Sequence, residues 1–230
     1  VMKPRAVVAP LYRDAGRTVH RGATYAAPVV VQRLEGYEGE VTLQLAAHPD
    51  RIRQGIRGDD LAVPPGVTDI DFPLFLPEWV QTDRTSRIIL NTVVRHPDPQ
   101  GNIRYLVNKM EQRITMNVEG ALLKLTALRP EMAVGPGEAI EIPLAISRSP
   151  KLNGDTRLEL VASEESGWRA EPVTLGPDET KASLRVLRNR IAAGGERRLT
   201  IRATVRPAPH LPVISQTDVI LLAPPAAGTR

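Results

Sequence analysis

The stretch Gly137-Glu-Ala-Ile-Glu-Ile-Pro-Leu-Ala-Ile-Ser147 decides the fold class of this chain. Its apolar residues recur at every second position, and they are Ile140, Ile142, Leu144 and Ile146. A period of two places these side chains on one face of an extended chain, whereas a helix would need a period of 3.6. The stretch therefore predicts a half-buried β-strand.

The same alternation recurs along the whole chain. The apolar positions of the further predicted strands are Val41, Leu43 and Leu45, Phe72 and Leu74, Tyr105 and Val107, Leu158 and Leu160, Leu184 and Val186, and Leu199, Ile201, Ala203 and Val205. Tyr105 and Val107 are predicted to belong to the last strand of the first half. Strands with one apolar face need a second sheet to cover them. The pattern predicts an all-β fold of antiparallel β-sandwiches with about seven strands each.

An internal repeat sets the predicted domain organisation. A shift of 115 positions aligns six identical pairs: Gly22 with Gly137, Pro28 with Pro143, Arg33 with Arg148, Gly39 with Gly154, Leu43 with Leu158, and Leu45 with Leu160. We expect two homologous Ig-like domains at residues 1–119 and 120–223, followed by a linker or tail at 224–230. Pro28 and Pro143 are predicted to mark an edge strand or a bulge, since proline lacks the ladder donor.

Four segments together resemble a known class of repeats. They are 137–144, Gly154-Asp-Thr-Arg-Leu-Glu-Leu160, Pro172-Val-Thr-Leu-Gly-Pro-Asp-Glu-Thr180 and Arg198-Leu-Thr-Ile-Arg-Ala-Thr-Val205. This pattern is similar to the tandem Ig-like β-sandwich repeats of large secreted or surface proteins of bacteria, notably the planctomycete type. The resemblance implies an extracytoplasmic location, in the periplasm, in the cell envelope or secreted. It implies a structural, adhesive or accessory role and brings no catalytic residues with it.

Composition excludes several function classes. The 30 basic and 26 acidic residues leave a net charge of +4, which is too small to demand a nucleic-acid partner. With no cysteine, the chain has no disulfide, no thiolate metal site and no thiol nucleophile. No apolar run approaches the roughly 18 residues that cross a bilayer, so we expect no membrane span. The chain opens at Val1, which favours a processed or excised piece of a longer product.

No catalytic constellation is recognisable. The serines show no Gly-x-Ser-x-Gly elbow, and no zinc spacing, P-loop or dinucleotide fingerprint is present. The four histidines fall in predicted loops, and they are His20, His48, His96 and His210. We therefore predict that the chain is not an enzyme and binds no cofactor.

Two groups of residues around Asp59 suggest a metal site or a ligand site. Asp59, Asp60, Asp69 and Asp71 flank one turn, and oxygen-rich loops of sandwiches can hold calcium. Two of these aspartates share a strand face and the second domain has no counterpart, so we assign no metal and leave calcium open. Arg57-Gly58-Asp59 matches the tripeptide read by animal integrins, a motif short enough to recur by chance.

The proline-broken segment Phe72–Val80 is the most individual part of the chain. We predict that Phe75, Leu76, Trp79 and Val80 bind a protein partner, because aromatic anchors dominate such interfaces. The alternative is that the segment caps the first sandwich. The other tryptophan, Trp168, is expected to pack as core or edge cover.

Arg198, Arg202 and Arg206 recur at every fourth position of one predicted strand region. They could form a basic stripe that binds a polyanion such as an acidic polysaccharide. The alternative is a solvated sheet face on which nearby acids pair with the arginines.

These observations favour a non-enzymatic structural or interaction module of a larger secreted or cell-envelope protein or assembly. Its expected partners are other protein subunits or domains of the same polypeptide, with no nucleic acid. The alternative is a carbohydrate-binding accessory module of an extracellular enzyme, with polysaccharide as its partner.

Overall fold

The computed structural model describes residues 5–11, 17–161, 167–189 and 195–223. In these ranges the regular structure is almost entirely β-strand, and the chain divides into two compact units, residues 1–120 and 121–230. The predicted tail at 224–230 lies outside the described residues.

Unit 1 holds ten strands and one short helix among its described residues. They are β1 (Arg5–Pro10), β2 (Arg17–His20), β3 (Thr24–Leu34), β4 (Val41–Leu45), α1 (Pro49–Arg53), β5 (Leu61–Val63), β6 (Asp69–Phe75), β7 (Arg84–Ile88), β8 (Leu90–Pro97), β9 (Ile103–Lys109) and β10 (Ile114–Glu119). One sheet has the order β1-β3-β6, and a second has the order β5-β4-β8-β9. A third group, β2-β10-β7, continues the second sheet, because β7 leads into β8 and β9 leads into β10.

Unit 2 holds nine strands among its described residues. They are β11 (Leu123–Ala127), β12 (Glu131–Ala133), β13 (Ala139–Arg148), β14 (Thr156–Val161), β15 (Trp168–Ala170), β16 (Val173–Leu175), β17 (Lys181–Arg188), β18 (Gly195–Val205) and β19 (Val213–Ala223). Its sheets have the orders β11-β13-β17-β15 and β12-β19-β18-β14-β16. The first is the A-B-E-D sheet of an immunoglobulin domain, and the second contains its C-F-G sheet. The predicted all-β fold of Ig-like antiparallel sandwiches is confirmed.

The predicted apolar faces form the cores. In β13 the side chains of Ile142, Leu144 and Ile146 are buried, while their neighbours along the strand are not. In unit 1 Phe72 and Leu74 are likewise buried on one face of β6. In these two strands period-two alternation thus marks the side that faces the opposite sheet.

The prediction for Tyr105 and Val107 is wrong in two respects. They lie on β9, but β10 follows as the last strand of unit 1. Their side chains are 67% and 58% exposed, whereas the apolar face of β10, with Met116, is buried. Apolar alternation alone could not tell a buried face from an exposed one.

The edge prediction for Pro28 and Pro143 is also wrong, because β3 and β13 are interior strands. Leu11 N donates to Pro28 O at 3.1 Å, and Leu128 N donates to Pro143 O at 2.9 Å. In an antiparallel ladder the N and O of one residue face the same neighbour. Each proline therefore lies where the first strand of its unit leaves the sheet, and the ladder ends there without losing a needed donor.

In unit 1 an arginine connects two turns. Arg33, at the end of β3, donates Nε to Gly39 O at 2.8 Å and Nη1 to Val67 O at 2.6 Å. Its Nη2 donates to Val63 O at 3.1 Å and to Pro64 O at 2.6 Å. The guanidinium thus joins the turn before β4 to the turn after β5.

In unit 2 the aligned residue makes equivalent contacts. Arg148 Nη1 donates to Gly154 O at 2.7 Å, and Nη2 donates to the Thr156 hydroxyl and to Gly176 O. The carbonyl of the aligned glycine, Gly39 or Gly154, accepts in both units. The identity of Arg33 and Arg148 therefore has a structural cause, the fixing of two turns by one side chain.

Candidate interaction surface

The segment Phe75–Val80 joins β6 to β7, and the structure divides its predicted protein-binding residues into two groups. Leu76 and Val80 are buried in the core of unit 1. Trp79 is 59% exposed and Phe75 is half-buried. Of the four predicted residues, Trp79 and Phe75 are therefore the two that a partner could contact.

Trp79 has a fixed support beneath its ring. A Cβ at Gly55 would lie 3.3 Å from ring atoms Cζ2 and Nε1, and 3.1 Å from Cγ of Pro77. Gly55 also has φ +83°, in the left-handed region that favours glycine. The backbone conformation favours glycine at this position, and the short distances show that the indole packs closely against this turn.

The helix α1 provides the rest of this support. Pro49 occupies the first turn, as helix N-termini favour, and Arg51 Nε donates to the buried hydroxyl of Thr85 at 3.0 Å. Ile52 is exposed, and its carbonyl accepts from Gly55 N at 2.8 Å. We call Ile52, Gly55 and Trp79 the Trp79 surface. The helix α1 was not predicted from the sequence, although Pro49 with Asp50 after it is a signal for a helix start.

Arg57 and Phe75 hold the next part of the segment in place. Arg57 N donates to Phe75 O at 3.1 Å, and Phe75 N donates to Arg57 O at 2.8 Å. The guanidinium lies 4.6 Å from the centre of the Phe75 ring, within the range of a cation–π contact. A Cβ at Gly58 would lie 2.5 Å from Cε1 of Phe72. The tripeptide 57–59 is thus part of a bridged, packed segment rather than a free loop.

The aspartates considered for calcium are not brought together. Asp60 accepts from Gln44 Nε2 at 2.7 Å, and Asp69 accepts from the Thr68 hydroxyl at 2.9 Å. Among the residues that the structure describes, no group of three or more His, Asp or Glu is placed to hold a metal ion.

The arginines predicted to bind a polyanion have acidic neighbours or lie beyond the strand. Arg198 Nη1 is 4.0 Å from Oδ2 of Asp218, and Arg202 Nη1 is 3.9 Å from Oε1 of Glu159. Arg206 follows the end of β18 and donates Nη1 to Pro209 O at 3.3 Å. The three side chains therefore do not form an uninterrupted positive stripe on β18.

The histidines make no contact of a catalytic kind in the described residues. His20 Nδ1 lies 3.1 Å from Gly120 O, and His48 Nδ1 lies 3.2 Å from Oδ2 of Asp50. In the part of the chain that the structure describes, no serine or threonine hydroxyl is hydrogen-bonded to a histidine ring. The constellation needed for nucleophilic catalysis is not assembled there.

Trp168 is core, as expected, since only 4% of it is exposed. It pairs across the sheet with Arg188, which is fully buried and donates Nη1 to Val134 O at 3.3 Å. Both residues line a pocket of about 310 Å³ with Asn189. The buried guanidinium holds the segment before β13 in place.

The hairpin β8–β9 extends past the rest of its sheet. The pairing of β4 with β8 stops at Val94, so among the described residues the part of β8 beyond it pairs only with β9. The turn is closed by Asp98, whose carboxylate accepts from Asn102 N at 2.8 Å and from Arg104 Nε at 3.1 Å. Desolvation raises the pKa of Asp98, but the hydrogen bonds from Asn102, Arg104 and Gln100 outweigh it, and the pKa is lowered.

No protein-family model matches the chain, and no curated protein matches it. Solved structures do match. Fibronectin(III)-like modules of Clostridium thermocellum CbhA are 11% identical, with a TM-score of 0.32 and 97% of both chains covered. Domains 4 and 5 of the S-layer protein SbsC are 9% identical, with a TM-score of 0.30, and the match covers 95% of this chain and 97% of that one. The sialic acid binding region of a Streptococcus sanguinis adhesin is 12% identical, with a TM-score of 0.29, and the match covers 95% of this chain and 77% of that one. At such TM-scores these likenesses carry no argument about what this chain binds.

Across the described ranges, no helix has the length and apolar character needed to cross a membrane.

Proposed function

We propose that the chain is a non-enzymatic interaction module of a larger secreted or cell-envelope protein or assembly, and that the Trp79 surface binds a protein partner. The observation that carries this proposal is the exposure of Trp79, packed against the turn at Gly55, while Trp168 is buried. Tryptophan is enriched among the residues that dominate binding energy. Covering about 100 Å² of its exposed apolar surface would contribute about 2.5 kcal/mol.

The alternative of a carbohydrate-binding module is less well supported. A surface that binds an oligosaccharide needs exposed aromatic side chains that lie side by side, so that sugar rings can stack on them. Trp79 lies before β7, and Tyr105 pairs with Arg95 near the far end of β8. From the start of β7 to Arg95 the chain runs for about ten strand residues at roughly 3.3 Å each, so Trp79 and Tyr105 are separated by roughly 30 Å along the sheet. Trp79 and Tyr105, the aromatic residues that are exposed among the described ones, therefore cannot contact the same short oligosaccharide.

We further propose that residues 1–119 and 120–223 are tandem copies of one module in an extracytoplasmic protein. The matching contacts of Arg33 and Arg148, and the matching positions of Pro28 and Pro143, support the tandem relation. The extracytoplasmic location follows from the resemblance to secreted Ig-like repeats.

The test begins with cross-linking and mass spectrometry of the protein extracted gently from its native source. We expect a partner protein with cross-links near the Trp79 surface. Binding of that purified partner to the full chain is then measured by calorimetry. Trp79→Ala should raise the dissociation constant about thirtyfold, since a central anchor contributes about 2 kcal/mol.

Leu128→Ala is the matched control, because Leu128 is 53% exposed but lies in unit 2. It should leave the dissociation constant unchanged. Partner binding that survives Trp79→Ala would overturn the assignment of this surface. Specific binding of a polysaccharide, with no protein partner recovered, would overturn the proposed function itself.

A further inference from the structure

The strand β9 has an open edge. Within the described residues it pairs with β8 alone, and it ends the sheet β5-β4-β8-β9. Met110 N donates to Leu90 O at 2.8 Å, and this bond determines which residues of β9 direct their backbone groups towards β8. Successive residues of an antiparallel strand bond to opposite neighbours. The backbone groups of Ile103, Tyr105 and Val107 therefore face away from β8, towards the open edge.

The side chains of the same three residues are exposed in one row. Ile103, Tyr105 and Val107 are 41%, 67% and 58% exposed. Natural sheets protect open edges with charged residues, prolines or bulges. The charge in the row on β9, Lys109, stands at the end of the strand, and the three apolar residues before it indicate an edge that another strand covers.

We propose that β9 pairs antiparallel with β9 of a second copy of this chain, giving a homodimer whose sheet continues across the two copies. A two-fold axis at Tyr105 places each tyrosine opposite the other, and it places Ile103 opposite Val107. Their outward backbone groups are then paired, and their apolar side chains form one continuous row. Cross-strand aromatic and β-branched pairs stabilise such a sheet.

The charges of β9 select this partner and this register. With Tyr105 on the axis, Arg104 lies opposite Leu106, and Lys109 lies opposite Gly101, so no like charges meet. Moving the axis by two residues towards the C-terminus would place Tyr105 opposite Lys109. That register would lose the apolar pairing, and the strand is therefore self-complementary about Tyr105.

The test is sedimentation velocity of the full chain over a series of concentrations. We expect the wild type to form a dimer as the concentration rises. Tyr105→Lys places two ammonium groups opposite each other and should raise the dimer dissociation constant about tenfold or more. Tyr105→Glu should do the same with two carboxylates. Circular dichroism and the melting temperature verify that each variant is folded.

The mixture of the two variants is the decisive experiment. Because position 105 faces itself across the axis, mixing Tyr105→Lys with Tyr105→Glu places opposite charges together and should restore a dimer of one copy each. Leu128→Lys, a charge on another exposed apolar side chain, should leave dimerisation unchanged. A wild type that stays monomeric at hundreds of micromolar, or a mixture that stays monomeric, would overturn the proposal. Trp79→Ala should not affect the dimer, so the two proposals fail separately.

Discussion

Replacing Arg33 by methionine should destabilise unit 1 by about 3 kcal/mol. The substitution keeps an unbranched stem but removes the donors to four backbone carbonyls, of Gly39, Val63, Pro64 and Val67. Each bond contributes about 1 kcal/mol net, and part-buried carbonyls lose their partner. The sum of about 4 kcal/mol is reduced because the guanidinium is only part-buried and water can replace some contacts.

The equivalent change in unit 2, Arg148→Met, should cost less, about 1.5 kcal/mol. Arg148 makes fewer contacts, its bond to Gly176 O is long at 3.4 Å, and its Nε is buried with no hydrogen-bond partner among the described residues. Arg33→Lys is the control for charge. A single ammonium cannot bond both turns at once, so it should recover only a small part of the loss.

Urea unfolding followed by fluorescence measures both effects in the full chain. Each unit has one tryptophan, Trp79 in unit 1 and Trp168 in unit 2, so variants that keep only one of them report on that unit. We expect Arg33→Met to lower the free energy of unfolding reported by Trp79. A loss below about 0.5 kcal/mol there, the size of an ordinary surface substitution, would refute the reasoning.

Two further predictions concern single residues of unit 1. Gly58→Ala should lower the free energy of unfolding by about 1–3 kcal/mol in urea, because its Cβ would lie 2.5 Å from the buried ring of Phe72. Gly120→Ala, with nothing within 4 Å, is the control and should be nearly neutral. Asp98→Asn should lower the urea midpoint at pH 7, because a lowered pKa means that the carboxylate stabilises the fold above its ordinary value of 3.8. That stabilisation is lost as the pH falls through the lowered pKa, so the difference from wild type should shrink towards pH 3, and an equal difference at both pH values would contradict the assignment.

Most strands could be predicted from the sequence because they depend on local alternation, and in strands such as β13 and β6 the buried face could be predicted as well. Ile142, Leu144 and Ile146 show this, since a one-sided strand allows only one side to face the core. The edge prediction for Pro28 failed because strand order depends on pairing between distant segments. Position 28 lies beside residues 10 and 11 on one side and 71 on the other, and no local pattern shows that.

The candidate site was predicted only in part. Trp79 was identified from its rarity and its proline-broken segment, and it is exposed. Leu76 and Val80 were grouped with it because they are neighbours in sequence, but in an irregular segment neighbours do not share a face. Tyr105 was assigned to the last strand of unit 1. Its local alternation shows neither that β10 follows nor that β2 and β7 pair with β10 and not with β9.

The contacts of Arg33 have a consequence for how this module tolerates change. All four acceptors of its guanidinium are main-chain oxygens, so the interaction depends on the path of the turn 63–67 and not on which side chains it carries. A turn held in this way can accumulate substitutions, or receive a grafted recognition sequence of equal length that keeps the glycine at position 66, where φ is +79°, while its anchor stays in place. An interaction module built on this design can therefore acquire new surface chemistry without redesign of its core.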